Sequence, residues 1–560
     1  MKEREIELVS VTFNNGETKN ITEGTSLREV CKDYYYNCNS IIVAAKVDNA
    51  IKELNYQINK SCNIEFIDLT HEDGQRIYRR SLCFILIKAV NDIFPKRKIV
   101  ISHSIGKGLY CEVRGKKKLT KQDTQKIKKR MKELINAKIP FVKRIVSIDE
   151  AKQTFKKDGR TDRLLAIEHR RKPYVTIYNC DGLDDYFYGY MVPHTGYIEL
   201  FDLVYHEPGL ILLFPSRRNP SVLPVYTEQK KLFSIFMEYK KWGKILGVEN
   251  VGALNEIVNK NQVHDLIRVS EALHEKKIAS IADMIAESKD NKRIILVSGP
   301  SCSGKTTFAK RLSIQLRVCG IKTVIISLDD YFVNREHTPI DSKGDYDFEA
   351  LEAIDVELFN KQLLLLLSGK EVGIPIFNFP KGCREKKSKK LKIDNNHVLI
   401  VEGIHGLNEK LTHMINREEK FKIYISALTS LNIDDHNRIS TTDGRIIRRL
   451  VRDFQYRGVN GINTIRRWPS VKRGEQKNIF PFQEEADIMF NSSLVYELGV
   501  LKKMSENIIG EIDSSYPEYS EAKRLTEFLG YFLPISHKEI PLNSILREFI
   551  GGSCFYNTIC

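Results

Sequence analysis

Gly299-Pro300-Ser301-Cys302-Ser303-Gly304-Lys305-Thr306 decides how this chain is read, because it matches G-x-x-x-x-G-K-[ST] with the flanks that pattern needs. Before it, Arg293-Ile294-Ile295-Leu296-Val297-Ser298 is a short apolar, β-branched run of the kind that forms a buried parallel strand. After it, Thr307-Phe308-Ala309-Lys310-Arg311-Leu312 opens a helical pattern that stops at Gly320. Strand, glycine loop and helix N-terminus together aim backbone N–H groups and the positive end of a helix dipole at phosphate oxygens. In such a loop Lys305 neutralises the outer phosphates and the Thr306 hydroxyl ligates magnesium. The expected triphosphate-binding residues are Gly299, Ser301, Ser303, Gly304, Lys305, Thr306 and Thr307.

At 560 residues the chain exceeds the roughly 250–300 residues that one core sustains, so about three or four domains are expected. Hydrophobic content of 42% and charged content of 29% are ordinary for a globular protein, and no apolar run approaches the roughly 20 residues of a membrane span. The opening Met1-Lys2-Glu3-Arg4-Glu5-Ile6-Glu7 is charged and lacks the apolar region of a signal peptide. The 11 cysteines are scattered without metal-ligand spacing, which suits reduced thiols. A cytoplasmic protein without membrane contact is expected. Net charge is +16, concentrated at Lys116-Lys117-Lys118 and Lys386-Lys387-Ser388-Lys389-Lys390. Such runs are solvated faces or polyanion contacts, so the first half is a candidate for RNA contact, although a phosphate-handling enzyme also gains from positive potential.

In the first half, Ile6-Glu7-Leu8-Val9-Ser10-Val11-Thr12-Phe13 alternates and meets Asn14-Asn15-Gly16, a strand with a hairpin turn. Thr25-Ser26-Leu27-Arg28-Glu29-Val30 reads as a capped helix start and Ile41-Ile42-Val43-Ala44-Ala45-Lys46-Val47 as another strand. A small ubiquitin-like β-grasp over residues 1–69 follows. From Asp68-Leu69-Thr70-His71-Glu72-Asp73-Gly74-Gln75-Arg76-Ile77-Tyr78-Arg79-Arg80-Ser81-Leu82-Cys83-Phe84 the chain resembles the junction of the TGS and editing domains of threonyl-tRNA synthetases, and the resemblance continues into Tyr188-Gly189-Tyr190-Met191-Val192-Pro193-His194. It implies an α+β editing-like domain over 70–226. In those synthetases one segment carries H-x-x-x-H and the other a Cys with a His four residues on. Aligned on Ser81 and on Gly189 with Val192-Pro193, the four positions here are Arg80, Phe84, Phe187 and Met191. None can ligate zinc, so the resemblance implies the fold without a metal and without the chemistry. His169 and His194 remain nearby as surface or packing residues.

Residues 227–290 read as a helical connector with apolar positions such as Leu254, Ile257, Leu266, Val269, Ile278 and Ile281 at three-to-four spacing. Residues 291–500 alternate helices with the strand runs Thr323–Ser327, His397–Val401 and Phe421–Ile425, the pattern of an α/β parallel sheet with helices on both faces. Residues 501–560 form a helical tail. Ligands bind beyond the carboxyl ends of such strands, and two strands deliver acids there, Asp329-Asp330-Tyr331-Phe332 and Glu402-Gly403. Arg445, Arg448 and Arg452 fall at i, i+3 and i+7 on one helical stripe, with Arg457 beyond, and like charges so placed call for an anion.

Over roughly Lys292 to Val500 these features resemble the uridine kinase and phosphoribulokinase family of P-loop kinases. The resemblance implies ATP and Mg2+ as cofactors. It places the general base at Asp329, a sugar-binding acid at Asp347, magnesium ligands at Thr306, Asp329 and Glu402, and a lid helix on Arg445-Ile446-Ile447-Arg448-Arg449-Leu450-Val451-Arg452-Asp453. Lys305, Asp329, Arg448 and Arg452 are then the catalytic set, Arg445 joins the ATP-binding residues, and Asp347, Tyr331, Phe377, Phe379 and Arg457 line the acceptor. On this reading loss of Arg448 or Arg452 lowers turnover more than stability. The stretch Ile374-Pro375-Ile376-Phe377-Asn378-Phe379-Pro380-Lys381-Gly382 departs from the base-reading region of uridine kinases, and Phe332 replaces a common tyrosine. Asp341 to Asp347, with Lys343, is a candidate substrate loop. The expected activity is transfer of the ATP γ-phosphate to a nucleoside 5′-hydroxyl, in a monomer or a homo-oligomer. Two alternatives stay open: a kinase for another small hydroxylated acceptor, and a nucleotide-regulated RNA- or ribosome-binding protein.

Overall fold

The computed structural model describes residues 7–34, 40–170, 172–288, 292–341, 344–394, 396–429 and 431–555; Ile6 and Lys343, named above, lie outside them. The first unit is a five-stranded mixed sheet in the order Thr18–Thr22, Leu8–Phe13, Cys62–Asp68, Ile42–Val47, Ala50–Glu53. Its central pair is parallel and its other pairs are antiparallel. Alternation in the first strand turns Val11 and Phe13 onto Leu27 and Val30 of the helix, the β-grasp arrangement.

The second unit is organised around the helix Glu72–Ile93, in which Leu82, Cys83, Phe84, Ile85, Leu86 and Ile87 are all buried. A helix apolar on every side must lie between layers. A four-stranded antiparallel sheet (Asp202–His206, Gly209–Leu213, Gly108–Arg114, Lys98–Ile105) and a three-stranded one (Val142–Ser147, Tyr174–Cys180, Leu183–Tyr186) supply them. Three helices follow, Lys230–Ile245, Val251–Asn259 and Val263–Glu287. They join the halves by packing: Phe236 and Tyr239 share one apolar cluster with Tyr110 and Ile211 of the first half and Tyr424 and Met489 of the second.

The second half is a parallel sheet in the order Lys322–Ser327, His397–Glu402, Ile294–Ser298, Lys420–Ser426, Ile488–Asn491. The strand before the glycine loop is central and wholly buried. Its residues alternate between two cores. Ile295 and Val297 meet Phe308 and Leu312 of the helix Lys305–Val318, whereas Ile294 and Leu296 meet Phe359 and Leu363 of the helix Val356–Leu367. Helices on both faces explain why this strand is a continuous apolar run. Among the described residues no helix is long and apolar enough to cross a membrane. The boundary expected after residue 500 is corrected: it falls inside the helix Glu497–Gly510, which packs on the arginine helix and so belongs to the α/β unit.

The arginine helix spans Thr441–Arg457, with Ser440 as N-cap and Gly458, at φ +60°, as C-cap. The expected open stripe is corrected here. Arg445 and Arg448 are 2% and 0% exposed, because the helices Gly461–Asn478 and Glu497–Gly510 cover that face and bring acids to it. Arg448 donates to Glu497 at 2.5 Å and to the carbonyl of Ser492 at 2.8 Å. Arg445 holds Glu475 through both terminal nitrogens, one at 2.7 Å. The anion the stripe requires is therefore a pair of buried carboxylates. Arg452 is partly exposed and bonds Asp453, which Arg449 and Arg457 also approach. Arg448→Ala is expected to destabilise the fold by about 3–5 kcal/mol by leaving Glu497 buried and unpaired. Arg452→Ala, with Asp453 still paired, loses less. Denaturant unfolding checks both, and an unchanged midpoint for Arg448→Ala contradicts the assignment.

Candidate functional site

The glycine loop turns tightly out of the central strand. A Cβ at Gly299 would lie 1.9 Å from the carbonyl oxygen of Ile425, so only glycine lets the loop pass the neighbouring strand. Gly304, at φ +83°, starts the helix Lys305–Val318. The donors this geometry leaves unpaired are met by the chain's own acids. The Ser301 N–H donates to Glu475 at 3.1 Å, and the Thr307 N–H and hydroxyl donate to one oxygen of Glu548 at 3.2 and 2.7 Å. The Thr306 hydroxyl donates to Glu402 at 3.3 Å, as does Ser327 at 2.9 Å. Lys305 folds back onto the carbonyl of Pro300 at 3.2 Å. Carboxylate oxygens on Ser301 and Thr307 thus stand where the sequence reading expects phosphate oxygens. Ser303 is fully buried, and its hydroxyl has no partner among the described residues.

Asp329 lies exposed in the short 3-10 turn Leu328–Tyr331 at the strand end, its N–H capped by Ser327 at 3.4 Å. Glu402 is buried on the adjacent strand, and burial, aided by the charge of Asp329, raises its pKa to about 7. Lys305 opposes that rise, as it does for a further acid, Glu349, which burial and then the charge of Glu475 also raise to about 7. One oxygen of Glu349 is buried without a partner among the described residues. Asp347, the expected sugar-binding acid, instead accepts from the Glu349 N–H at 3.2 Å within its own turn. Glu349 is thus the acid of this segment that shares the surroundings of Lys305 and Asp329.

On the other side of Asp329, Phe332, Phe377 and Phe379 form an aromatic group with centroids 5.1 to 6.1 Å apart, and Phe379 is 50% exposed. Asn378 is engaged with Glu385 at 2.8 Å. Tyr331 does not face the site: it is 1% exposed and its hydroxyl donates to Gln362 at 2.7 Å, which corrects its expected acceptor contact. Arg457 is exposed near Asp453, and burial and then the charge of Arg452 lower its pKa.

Sequence reasoning missed Glu475, Glu548 and Arg449, whose guanidinium reaches the Ser301 hydroxyl at 3.2 Å. It also left the tail unread. Ile545 lies over the loop, 2.5 Å from where a Gly304 Cβ would stand, Phe549 packs 4.9 Å from the Arg448 guanidinium, and Lys310 donates to the carbonyl of Phe555 at 2.7 Å. Nothing local to Pro541–Ser553 signals these contacts.

In the first half the four aligned positions converge, three of them as packing. Phe84 meets Phe187 with centroids 5.1 Å apart, and buried Met191 accepts from the Ser81 hydroxyl at 3.5 Å. Arg80 donates to the carbonyl of Tyr190 at 2.7 Å. His194 leans edge-on against Tyr197, and His169 lies 3.6 Å from Glu256. Among the described residues no group of three or more His, Cys, Asp or Glu is placed to hold a metal ion.

Residues 294–497 match the family model described as the phosphoribulokinase / uridine kinase family. Threonine–tRNA ligase from Francisella tularensis subsp. novicida is 26% identical over 196 residues, 35% of this chain and 31% of the ligase. The enzyme of the same name from Symbiobacterium thermophilum is 25% identical over 198 residues, 35% and 30% of the two chains. The chain therefore spans about a third of the length of these relatives. Among solved structures, a chain described as a possible uridine kinase from Bacillus stearothermophilus is 16% identical with a TM-score of 0.26, covering 38% of this chain and 97% of that one. A D-glycerate 3-kinase from Cryptococcus neoformans is 15% identical with a TM-score of 0.24, covering 40% and 89%. Residues 294–497 thus carry a P-loop kinase domain of the phosphoribulokinase / uridine kinase family, set behind a first half similar to part of threonine–tRNA ligases.

Proposed function

We propose that the chain is an ATP- and Mg2+-dependent kinase that phosphorylates the 5′-hydroxyl of a nucleoside. The observation that carries this reading is the meeting, at the carboxyl ends of three adjacent parallel strands, of the glycine loop with an exposed acid, Asp329, and a buried one, Glu402. In this reading loop N–H groups and Lys305 would bind the triphosphate, and Thr306, Glu402 and Asp329 would hold the metal. Two carboxylates and a hydroxyl suit magnesium, which keeps positions for phosphate and water. When bound, it supplies neutralisation of phosphate charge. Asp329 takes the proton of the acceptor hydroxyl, Glu349 and Asp347 orient sugar hydroxyls, and the exposed face of Phe379 with Phe377 offers a base a stacking surface. Arg449 and Arg452 remain the cations available at the loop, whereas Arg445 and Arg448 hold its outer wall. A second reading, a nucleotide-switched RNA-binding protein, draws on the basic chain and the ligase-like first half.

Transfer from labelled ATP to a panel of nucleosides and small alcohols separates the readings. Product on a nucleoside, reduced about 100-fold or more in Asp329→Asn, is the expected outcome; ATP binding without acceptor product moves the assignment to the RNA-binding reading. Because Glu548 occupies the Thr307 donors that the donor's inner phosphate needs, Glu548→Gln is expected to tighten ATP binding several-fold by calorimetry, and an equal or weaker affinity speaks against the stand-in role. Glu349 and Glu402 have folded pKa values of about 7 against 4.5. Their contribution to stability is complete below about pH 4.5 and lost as pH rises through 7. Relative to a Glu349→Gln/Glu402→Gln protein, the ligand-free wild type should lose stability between pH 5 and pH 8. A constant difference across that range would show that neither acid is perturbed.

A further inference from the structure

The seam between the halves is a run of ion pairs whose acids are all engaged. Arg76 is held by Glu72 at 2.7 Å, Asp73 at 2.8 Å and Glu521 at 2.7 Å. Glu72 also takes Lys472 and, at 3.7 Å, Arg217. Arg524 links Glu521, at 2.7 Å, to Asp443, at 2.8 Å. Three more guanidiniums in this seam, Arg79, Arg80 and Arg438, form no salt bridge among the described residues. Arg79 makes no hydrogen bond there either, the Arg438 Nε is buried without a partner, and Arg80 donates only to the carbonyl of Tyr190.

The three are neighbours. Arg79 and Arg80 are consecutive on the helix Glu72–Ile93, and the charges of Arg79, Arg80 and Arg438 all act against the burial that raises the Cys83 thiol of that helix. Tyr188 sets its ring 6.0 Å from the Arg80 guanidinium and donates its hydroxyl to the Arg438 carbonyl at 3.3 Å. Burial, and next the charge of Arg79, push Arg438 down to about 10. Room for Arg80 is kept by Gly189, where a Cβ would lie 2.5 Å from the guanidinium carbon. Phe84, Phe187 and Met191 share one buried apolar cluster and offer the guanidiniums no counterion. A guanidinium stays charged when buried, and a buried charge without a counterion is costly. One nearby acid, Asp443, already holds Arg524 through both oxygens.

We propose that Arg79, Arg80 and Arg438 form a binding site for a phosphate group, either free phosphate or the phosphomonoester of a nucleotide. A carboxylate is satisfied by one guanidinium fork, whereas a tetrahedral dianion accepts from several converging forks. The site has a short path to the loop. Arg438 precedes the arginine helix by three residues, and that helix bonds the carbonyls of Ser301 and Cys302 through Arg445 and Arg448. This assignment stands independently of the kinase reading.

The test is calorimetry on the full chain carrying Lys305→Ala, so that the loop's own hold on phosphate is weakened. Inorganic phosphate, uridine 5′-monophosphate and acetate are titrated at constant ionic strength. One equivalent of phosphate or of the monophosphate is expected to bind, acetate is not, and Arg79→Gln/Arg438→Gln should weaken binding at least 10-fold. Equal affinities identify free phosphate as sufficient, and a monophosphate at least 10-fold tighter identifies a nucleotide. Thermal unfolding separates binding from structure: without phosphate the double variant should melt no lower than its parent, and only the parent should be raised by phosphate. Binding unchanged by the two substitutions, no binding at all, or a lowered melting point with phosphate protection retained would overturn the site. Should the double variant not fold, Arg79→Gln alone, which removes a side chain without hydrogen-bonded partners, carries the same comparison.

Discussion

Backbone donors left open at the head of one buried helix make the demand that organises the second half. The Ser303 N–H closes the loop on the Pro300 carbonyl, but the N–H groups of Ser301 and Thr307 and the Thr306 hydroxyl turn elsewhere, and acids from three distant segments come to them. Glu402 arrives on the neighbouring strand, Glu475 on the helix Gly461–Asn478, and Glu548 on the tail. Each acid needs its own cation or donor, and Arg445 answers Glu475 in turn. The loop, the arginine helix and the tail are thereby one electrostatic unit.

How much of this was legible depended on how local the cause was. The central strand could be read because a run buried on both faces is apolar throughout, and the loop because its glycines answer to backbone geometry alone. Asp329 and Glu402 were legible as acids at strand ends. The arginine stripe was visible, but not its burial, since Glu475 and Glu497 lie 30 and 49 residues away from Arg445 and Arg448. Tyr331 looked like a site residue beside Asp329, yet the turn directs it inward to Gln362. Glu548 reaches Thr307 across 241 residues, a distance over which no periodicity reports.

In the first half the same contrast appears as a trade between chemistry and packing. Phe84, Phe187 and Met191 fill the place where the synthetases' ligands align, and the helix Glu72–Ile93 carries most of its charge in its first turns, with Lys88 and Asp92 paired near its end. Those turns meet the second half, so the polar surface of this unit is an internal boundary. The three helices between Lys230 and Glu287 tie both halves into shared apolar clusters.

The contact of Ile545 and Glu548 with the loop also has a meaning in time. Chains are made from the N-terminus at about 5–20 residues per second and contacts remote in sequence form late. The strand, loop and helix around Lys305 are synthesised long before residues 545–548 exist. During that interval the nascent loop lacks two of its covering groups and exposes its donors to any free anion in the surrounding solution. Maturation of the site is therefore a closing step, in which the last-made segment takes a place that solutes could occupy first.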